Sequence, residues 1–109
     1  MHVGLDVDGT ITKHPALFAA MSKGLRSDGH KVSIVTYRFD MYREETAAEL
    51  ASYGVQFDEL HMLPLDDDQP TAAEYKSEIC VEHNIDILID DAWDILVGLP
   101  KNVSGIGIL

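Results

Sequence analysis

The feature that most constrains the fold is the regular alternation of short apolar segments with segments of helical periodicity along the 109 residues. The segments 31–37 and 85–90 are rich in Val, Ile and Leu, as is typical of strands that are buried on both faces. Elsewhere apolar residues recur at helical spacing, as do Leu17, Met21 and Leu25. Strands that alternate with helices predict right-handed crossovers, and therefore a parallel sheet with helices on both faces.

Turn and capping signals divide the chain into five predicted strands and four predicted helices. Pro15 suits a first helical position, and Thr71 with Glu74 forms the T-x-x-E pattern of a capping box. The predicted strands are 2–8, 31–37, 55–63, 85–90 and 102–109. The predicted helices are 15–29, 41–53, 71–83 and 91–99. No repeat or linker interrupts the pattern, so we expect a single α/β domain over residues 1–109.

Composition narrows the class of protein. No segment reaches the roughly 18 apolar residues that a membrane span needs, and no basic segment precedes an apolar one at the N-terminus. We therefore expect a cytoplasmic protein without a membrane partner. The single cysteine, Cys80, excludes an internal disulfide and suits a buried thiol. The net charge of −11 argues against broad binding to nucleic acid, except at a phosphorylated end.

Polar side chains gather at the predicted carboxyl ends of the strands. They are Asp6 and Asp8 after the first strand, Thr36 after the second, His61 near the third, and Asp90 and Asp91 after the fourth. These ends meet at one edge of a parallel sheet, where ligands bind. Four carboxylates from neighbouring strands would repel one another, and a hard divalent cation such as Mg²⁺ relieves that repulsion. Capping and turn formation is the competing interpretation, and it explains a single aspartate better than two pairs.

Lys76 gives a second indication of a site at this edge. It follows Ala72 by four residues and precedes Ile79 by three, so it shares the inward stripe of its predicted helix. An ammonium on an inward face needs an anionic partner, which the carboxylate cluster or a bound phosphate would supply. The alternative is a lysine at the rim that reaches solvent.

In this order and spacing, the residues resemble the haloacid dehalogenase (HAD) superfamily of phosphohydrolases. The sequence DVDGT (6–10) matches the first motif of that family, D-x-D-G-T, and SIVTY (33–37) matches the second. Lys76 matches the third motif, and LIDD (88–91) with Asp94 matches the acidic fourth. The resemblance implies a three-layer α/β/α, Rossmann-like core of about five parallel strands in the order 5-4-1-2-3.

The resemblance also implies catalytic roles. Asp6 would attack phosphorus to give an aspartyl phosphate, and Asp8 would protonate the leaving oxygen and then activate water. Crowding by Asp6 is expected to raise the pKa of Asp8. Thr36 and Lys76 would hold the phosphoryl oxygens. The family's dehalogenases lack the second aspartate, so a phosphate ester is the expected substrate.

The remaining implied site residues surround this group. Substrate contacts are expected from Gly9, Thr10, Tyr37 and Arg38, where the guanidinium suits a phosphate or carboxylate. The expected Mg²⁺ ligands are Asp6, Asp8 through its carbonyl, and Asp91 or Asp90 from the acidic pair after the fourth strand. Packing or surface roles are the alternatives for Tyr37 and Arg38. For the other polar or aromatic residues near the site we expect structural roles: His61, Trp93 in the core, and 66–68 as a solvated loop.

The chain has no room for the cap domain that most members of the family carry. Only 25 residues separate Thr10 from Thr36, and 39 separate Thr36 from Lys76. An open site suits a large phosphorylated substrate, or it closes by homo-oligomerisation. The pattern VTYR (35–38) resembles the deoxyribonucleotidase-like branch, so the small-molecule candidates include nucleotides as well as sugar phosphates.

Two other classes of protein share parts of this pattern. The first is a binding or regulatory module that keeps the site, Mg²⁺ and a phosphorylated ligand but turns over little, which the absent cap favours. The second is a two-component receiver domain. In that domain the acidic pair comes first and the lysine last, whereas here Lys76 precedes Asp90 and Asp91.

Overall fold

The computed structural model describes residues 1–109 and contains one five-stranded sheet in which every neighbouring pair is parallel. The strands are β1 (His2–Leu5), β2 (Lys31–Phe39), β3 (Glu59–Leu63), β4 (Ile87–Asp90) and β5 (Ser104–Gly107). They are arranged in the order β3-β2-β1-β4-β5. This is the predicted order counted from the opposite edge, so the predicted fold class is confirmed.

Four α-helices and two short helical turns connect the strands. The helices are α1 (Pro15–Ser27), α2 (Arg43–Tyr53), α3 (Ala72–Glu82) and α4 (Trp93–Val97). The turns are Val7–Ile11 after β1 and Asp40–Tyr42 after β2. No domain is inserted between β1 and β2 or between β2 and α3, in agreement with the predicted capless core. None of the helices combines the length and the apolar character required to cross a bilayer.

The helices cover the sheet in two layers, each with its own apolar core. On one face, Phe18 of α1 and Leu50 of α2 pack with Val32 and Ile34 of β2. On the other face, where α3 and α4 lie, the buried residues include Val35, Cys80, Leu88 and Ile95. Because side chains alternate along a strand, β2 and β4 contribute residues to both cores. The predicted burial of Cys80 is confirmed, since its side chain is fully enclosed.

The structure corrects the first predicted strand. Strand β1 ends at Leu5 and not at residue 8, because the chain enters a tight turn in which Gly9 has a positive φ of 84°. Asp6 and Asp8 therefore do not share one face of an extended strand. Asp6 is buried and Asp8 is exposed.

The predicted core position of Trp93 is also wrong. Helix α4 has five residues, of which only Ile95 is buried. Trp93 is its first residue and is 77% exposed. In so short a helix Ile95 reaches the core and Leu96 lies against the glycines of β5, whereas Trp93 and Val97 are exposed.

Candidate active site

The sheet brings Asp6 and Asp90 to the same edge. Strands β1 and β4 are neighbours, with Leu5 paired to Ile89. The backbone N–H of Asp6 donates to the carbonyl of Ile89 at 3.0 Å, so Asp6 continues the pairing one residue past β1. Asp90 is the last residue of β4. Both carboxylates thus emerge at the carboxyl edge that the alternating pattern predicts.

Lys76 lies between these two carboxylates. Its Nζ donates to Asp6 Oδ1 at 2.7 Å and to Asp90 Oδ2 at 2.6 Å. The three side chains are only 2%, 7% and 1% exposed for Lys76, Asp6 and Asp90 respectively. The predicted inward direction of Lys76 is confirmed. The alternative of a solvated rim lysine is excluded by this burial.

Burial and charge shift the pKa values of this group in opposite senses. Burial raises the pKa of Asp6 to about 7, against the opposing effect of Lys76, while Asp90 raises it further. Burial lowers the pKa of Lys76, but the carboxylates of Asp6 and Asp90 outweigh it and leave that pKa raised. The lysine is therefore a permanent cation near neutral pH. Thr10 fixes the second oxygen of Asp6, since its hydroxyl donates to Oδ2 at 2.9 Å.

A third carboxylate completes a candidate metal centre. Asp6, Asp90 and Asp91 each offer an oxygen within 4.8 Å of the others. The backbone N–H of Ala92 donates to Asp90 Oδ1 at 3.0 Å and fixes that side chain. A Cβ on Gly9 would stand 2.2 Å from Asp91 Oδ2, so the glycine leaves the room that the Asp91 carboxylate occupies. The three carboxylates outnumber the single buried ammonium, so negative charge remains at the group. Their hard oxygen atoms fit a hard divalent cation such as Mg²⁺.

The expectation of a raised pKa for Asp8 is wrong. Arg38 donates to this carboxylate with two nitrogens, Nε to Oδ2 at 2.9 Å and Nη2 to Oδ1 at 2.7 Å. These hydrogen bonds to Arg38 lower the pKa of Asp8, and burial opposes them only in part. Asp8 is thus ionised and paired with a cation. Its carboxylate is not one of the three in the candidate metal centre.

Arg38 connects Asp8 to helix α2, a link that the sequence did not reveal. Its Nη1 donates to Glu49 Oε1 at 2.9 Å and to Thr46 Oγ1 at 3.2 Å. Glu49 also accepts from the hydroxyl of Tyr53 at 2.7 Å. Thr46 and Glu49 lie three residues apart and so share a helix face. Polar residues beside the buried Leu50 were the only available signal for this link.

The other predicted site residues occupy distinct positions. Thr36 is buried at 1% exposure, and its Oγ1 accepts from the backbone N–H of Arg38 at 3.3 Å. The hydroxyl of Tyr37 donates to the carbonyl of Pro70. The backbone N–H of Gly9 donates to Thr12 Oγ1 at 2.9 Å, so within this chain that amide already has a partner. Substrate contacts by these residues stay predictions.

His61 is not brought to the acidic group. Its Nε2 lies 3.1 Å from Glu59 Oε1, and its ring packs against that of His83. The predicted structural role of His61 therefore agrees with its position. The surface pocket of the molecule is elsewhere too, along α3 and lined by residues that include Ser77, Glu78 and Val81. Within the acidic group only Asp91 is exposed, whereas Asp6 and Asp90 are buried.

Comparison with known proteins identifies the fold. No family model and no curated protein matches the sequence. Solved structures with the same architecture include the three described below.

Two of these structures are of the Pnkp1/Rnl/Hen1 complex, one of them described as an RNA repair complex. The matched chains are 22% identical and superpose with TM-scores of 0.78 and 0.81. Each match covers 98% of this chain and 45% or 42% of the other chain. This chain therefore spans less than half the length of those two chains.

The third structure is a HAD family hydrolase from Salmonella enterica subsp. enterica serovar Typhi. It is 13% identical, has a TM-score of 0.51, and the match covers 94% of this chain and 61% of that chain. At these identities the likeness establishes the fold. This chain therefore shares its fold with a protein described as a HAD family hydrolase.

Proposed function

We propose that this chain is a Mg²⁺-dependent phosphomonoester hydrolase that acts through an aspartyl phosphate on Asp6. The observation that carries the proposal is the buried ammonium of Lys76, held between Asp6 and Asp90 at the carboxyl edge of the sheet. Core carboxylates and lysines are costly to bury, and buried ion clusters often stabilise a fold no more than apolar residues of the same size do. Such a cluster is better explained by chemistry at the site than by folding.

Asp6 is oriented for attack on phosphorus. Lys76 holds one carboxylate oxygen and the Thr10 hydroxyl holds the other. In the first step an oxygen of Asp6 bonds to phosphorus and the ester oxygen leaves. In the second step water attacks the same phosphorus and releases Asp6 with inorganic phosphate. Lys76 places a fixed positive charge where the phosphoryl oxygens gain negative charge.

Mg²⁺ would be held by Asp6, Asp90 and Asp91, with the carbonyl of Asp8 as a further predicted ligand. When bound, the ion neutralises the acidic ligands and draws charge from the phosphoryl oxygens. This accounts for phosphate binding by a chain whose net charge is −11.

Asp8 is proposed to donate a proton to the leaving oxygen and to take one from the attacking water. For this Asp8 must leave its ion pair with Arg38 and take up a proton from solvent before the first step, because the paired carboxylate is ionised. A substrate phosphate offers Arg38 a replacement anion of matching fork geometry. Exchange of partners would bring Arg38 to the substrate and free Asp8 in the same movement.

The substrate class follows from the open site and the structural neighbours. No inserted domain covers the acidic group, so a bulky phosphate ester can approach it. Two of the neighbours come from the Pnkp1/Rnl/Hen1 RNA repair complex. We therefore include phosphorylated nucleic-acid ends, beside nucleotides and sugar phosphates, among the proposed substrates. A homo-oligomer that closes the site is the alternative for small substrates.

The test is turnover of p-nitrophenyl phosphate, followed by a panel of nucleotides, sugar phosphates and phosphorylated oligonucleotides, each with and without Mg²⁺. We expect turnover only with Mg²⁺, and none by Asp6→Asn, whose circular dichroism should match that of the parent. Asp28→Asn, an exposed aspartate that directly follows α1 and lies outside the four motifs, is the matched control and should retain activity. Hydrolysis that persists in Asp6→Asn would reject Asp6 as the nucleophile.

A second candidate function is a binding module that holds Mg²⁺ and a phosphorylated ligand with little turnover. The observation that favours it is the bidentate pairing of Asp8 with Arg38, which keeps the general acid ionised. It predicts Mg²⁺ binding by calorimetry alongside no hydrolysis across the whole panel. It also predicts that Arg38→Met, which frees Asp8, leaves the chain equally inactive.

A further inference from the structure

A second cluster of metal-ligating side chains lies on the face of the sheet that α3 covers. Glu59 and His61 are alternate residues of β3 and so point to the same face, and His83 directly follows the last residue of α3. Each of the three offers one ligand atom, and these atoms lie within 4.8 Å of one another. Glu59 begins β3, so the cluster reaches toward the amino edge of the sheet, whereas the acidic site lies at the carboxyl edge.

The two histidines are close and their hydrogen-bonding capacity is largely unused. The ring centroids of His61 and His83 are 4.1 Å apart, with the planes tilted by 40°. The ring of His83 makes no hydrogen bond within the chain, and its nearest anionic partner is Glu82 at 3.8 Å. Imidazole binds a metal ion through a ring nitrogen that carries no proton.

Residues around the cluster hold Glu59 in position. Ser33 Oγ donates to Glu59 Oε1 at 3.1 Å, and His2 Nε2 lies 2.6 Å from the same hydroxyl. Lys31 pairs with the other oxygen, Glu59 Oε2, at 2.9 Å. His2 also ties down the end of α3, since its Nδ1 lies 2.9 Å from the carbonyl of His83. Hydrogen bonds that fix a ligand carboxylate in this way are typical of metal sites in proteins.

We propose that Glu59, His61 and His83 form a binding site for a divalent transition-metal ion of the zinc class. Two imidazoles and one carboxylate suit Zn²⁺, whereas Mg²⁺ prefers oxygen ligands alone. Ligands about 2 Å from zinc stand about 3.3 Å from one another in a tetrahedral site, so modest side-chain rotation closes the cluster. The fourth position is left to water. The ion would join the edge strand β3 to the end of α3.

The test is calorimetric titration of the whole chain with Zn²⁺ in excess Mg²⁺, which is added to compete with Zn²⁺ for the acidic group. We expect one Zn²⁺ per chain, and a loss of at least about tenfold in affinity for His61→Gln and for His83→Gln. His14→Gln, an exposed histidine at the start of α1, is the matched control and should bind like the parent. Asp91→Asn should also retain Zn²⁺ binding, which separates this site from the acidic one.

Two further measurements guard against a folding artefact. Circular dichroism of each variant establishes that the chain is folded before titration. Co²⁺ in place of Zn²⁺ should give visible absorption that disappears in His83→Gln, whose side chain lies at a helix end and is not needed for the core. Absence of Zn²⁺ binding by the parent, or equal binding by parent and His83→Gln, would overturn the proposal. The outcome is independent of phosphatase activity.

Discussion

At the scale of single residues, the buried ammonium of Lys76 determines the electrostatics of the site. Two carboxylates, Asp6 and Asp90, share this one cation in a region from which water is excluded. Removing one partner of a buried ion pair leaves an uncompensated charge and costs about 3–5 kcal/mol. We therefore expect Lys76→Met to lower the free energy of unfolding by about that amount in EDTA, measured by urea denaturation.

The control for this prediction is Lys23→Met, which changes an exposed lysine of α1. It should alter the free energy of unfolding by less than about 0.5 kcal/mol. Equal stability of the two variants would mean that Lys76 is not needed to neutralise the carboxylates. Mg²⁺ should restore part of the stability lost in Lys76→Met, because it supplies positive charge to the same oxygens.

Gly9 has two reasons to be a glycine, and they can be separated. Its φ is 84°, and a Cβ would stand 2.2 Å from Asp91 Oδ2. Gly29 has nearly the same φ, 85°, with nothing within 4 Å of its Cβ position. Both Gly9→Ala and Gly29→Ala should therefore lose about 1–2 kcal/mol of unfolding free energy from backbone strain. Only Gly9→Ala should also weaken Mg²⁺ binding, measured by calorimetry, because it displaces Asp91.

The sequence predicted the environment of a single side chain correctly where one physical rule determines that environment. Lys76 was placed inward by helical spacing, and an inward ammonium must meet an anion. The prediction of a raised pKa for Asp8 is wrong because that pKa depends on Arg38. Sequence spacing does not fix the direction of the Arg38 side chain. Proximity to Asp6 in the sequence predicted repulsion, but the turn at Gly9 separates the environments of the two carboxylates. Gly9 and Gly29 likewise have nearly the same φ but different surroundings, which the sequence does not show.

At the scale of elements, helix α3 carries Lys76 and is fixed at its start by a capping box. The Thr71 hydroxyl accepts from the backbone N–H of Glu74 at 3.1 Å, and the Glu74 carboxylate accepts from the backbone N–H of Thr71 at 3.1 Å. We expect Thr71→Ala to lose about 1 kcal/mol of unfolding free energy, since one helical N–H loses its partner. Thr71→Ser is the control in urea denaturation, because it keeps the hydroxyl and should be nearly neutral.

The same capping box makes stability depend on pH. Hydrogen bonds from the backbone and side chain of Thr71 lower the pKa of Glu74 below its ordinary value of 4.5. A lowered folded-state pKa gives stability that is present above 4.5 and is lost as the pH falls below it. We expect the parent to be more stable than Glu74→Gln at pH 7, and the difference to vanish as the pH falls below about 4. A constant difference across this range would remove the carboxylate charge as its cause.

Element types were predictable, whereas their ends depended on tertiary contacts. The capping box gave α3 to within one residue, because its signal is local. Strand β3 begins at Glu59 and not at 55, since strand pairing with β2 starts only at Ser33. Strand β5 pairs over four residues, all exposed, at the edge of the sheet. The ends of these strands depend on where the adjacent strand begins and ends. The periodicity of a segment does not show which strand will lie beside it.

At the scale of the whole molecule, the dominant quantity is the net charge of −11. Carboxylates crowd the carboxyl edge of the sheet, where a single buried ammonium is available for Asp6 and Asp90. Mobile salt screens the exposed charges over a Debye length but reaches buried ones much less. A divalent ion bound at the acidic group would reduce the repulsion between its buried carboxylates, which mobile salt screens only weakly.

We therefore expect MgCl₂ to raise the free energy of unfolding by much more than NaCl does at equal ionic strength. At about 100 times its dissociation constant, a ligand bound only to the folded state contributes about 2.7 kcal/mol. Thermal unfolding of the parent should show this increment, and Asp91→Asn should lose most of it because one of three oxygen donors is gone. Asp28→Asn removes the same charge from an exposed position after α1, outside the four motifs, and should keep the increment. If NaCl and MgCl₂ raised the midpoint equally in all three proteins, Mg²⁺ would be acting on overall charge, and the acidic group would be a structural ion-pair network.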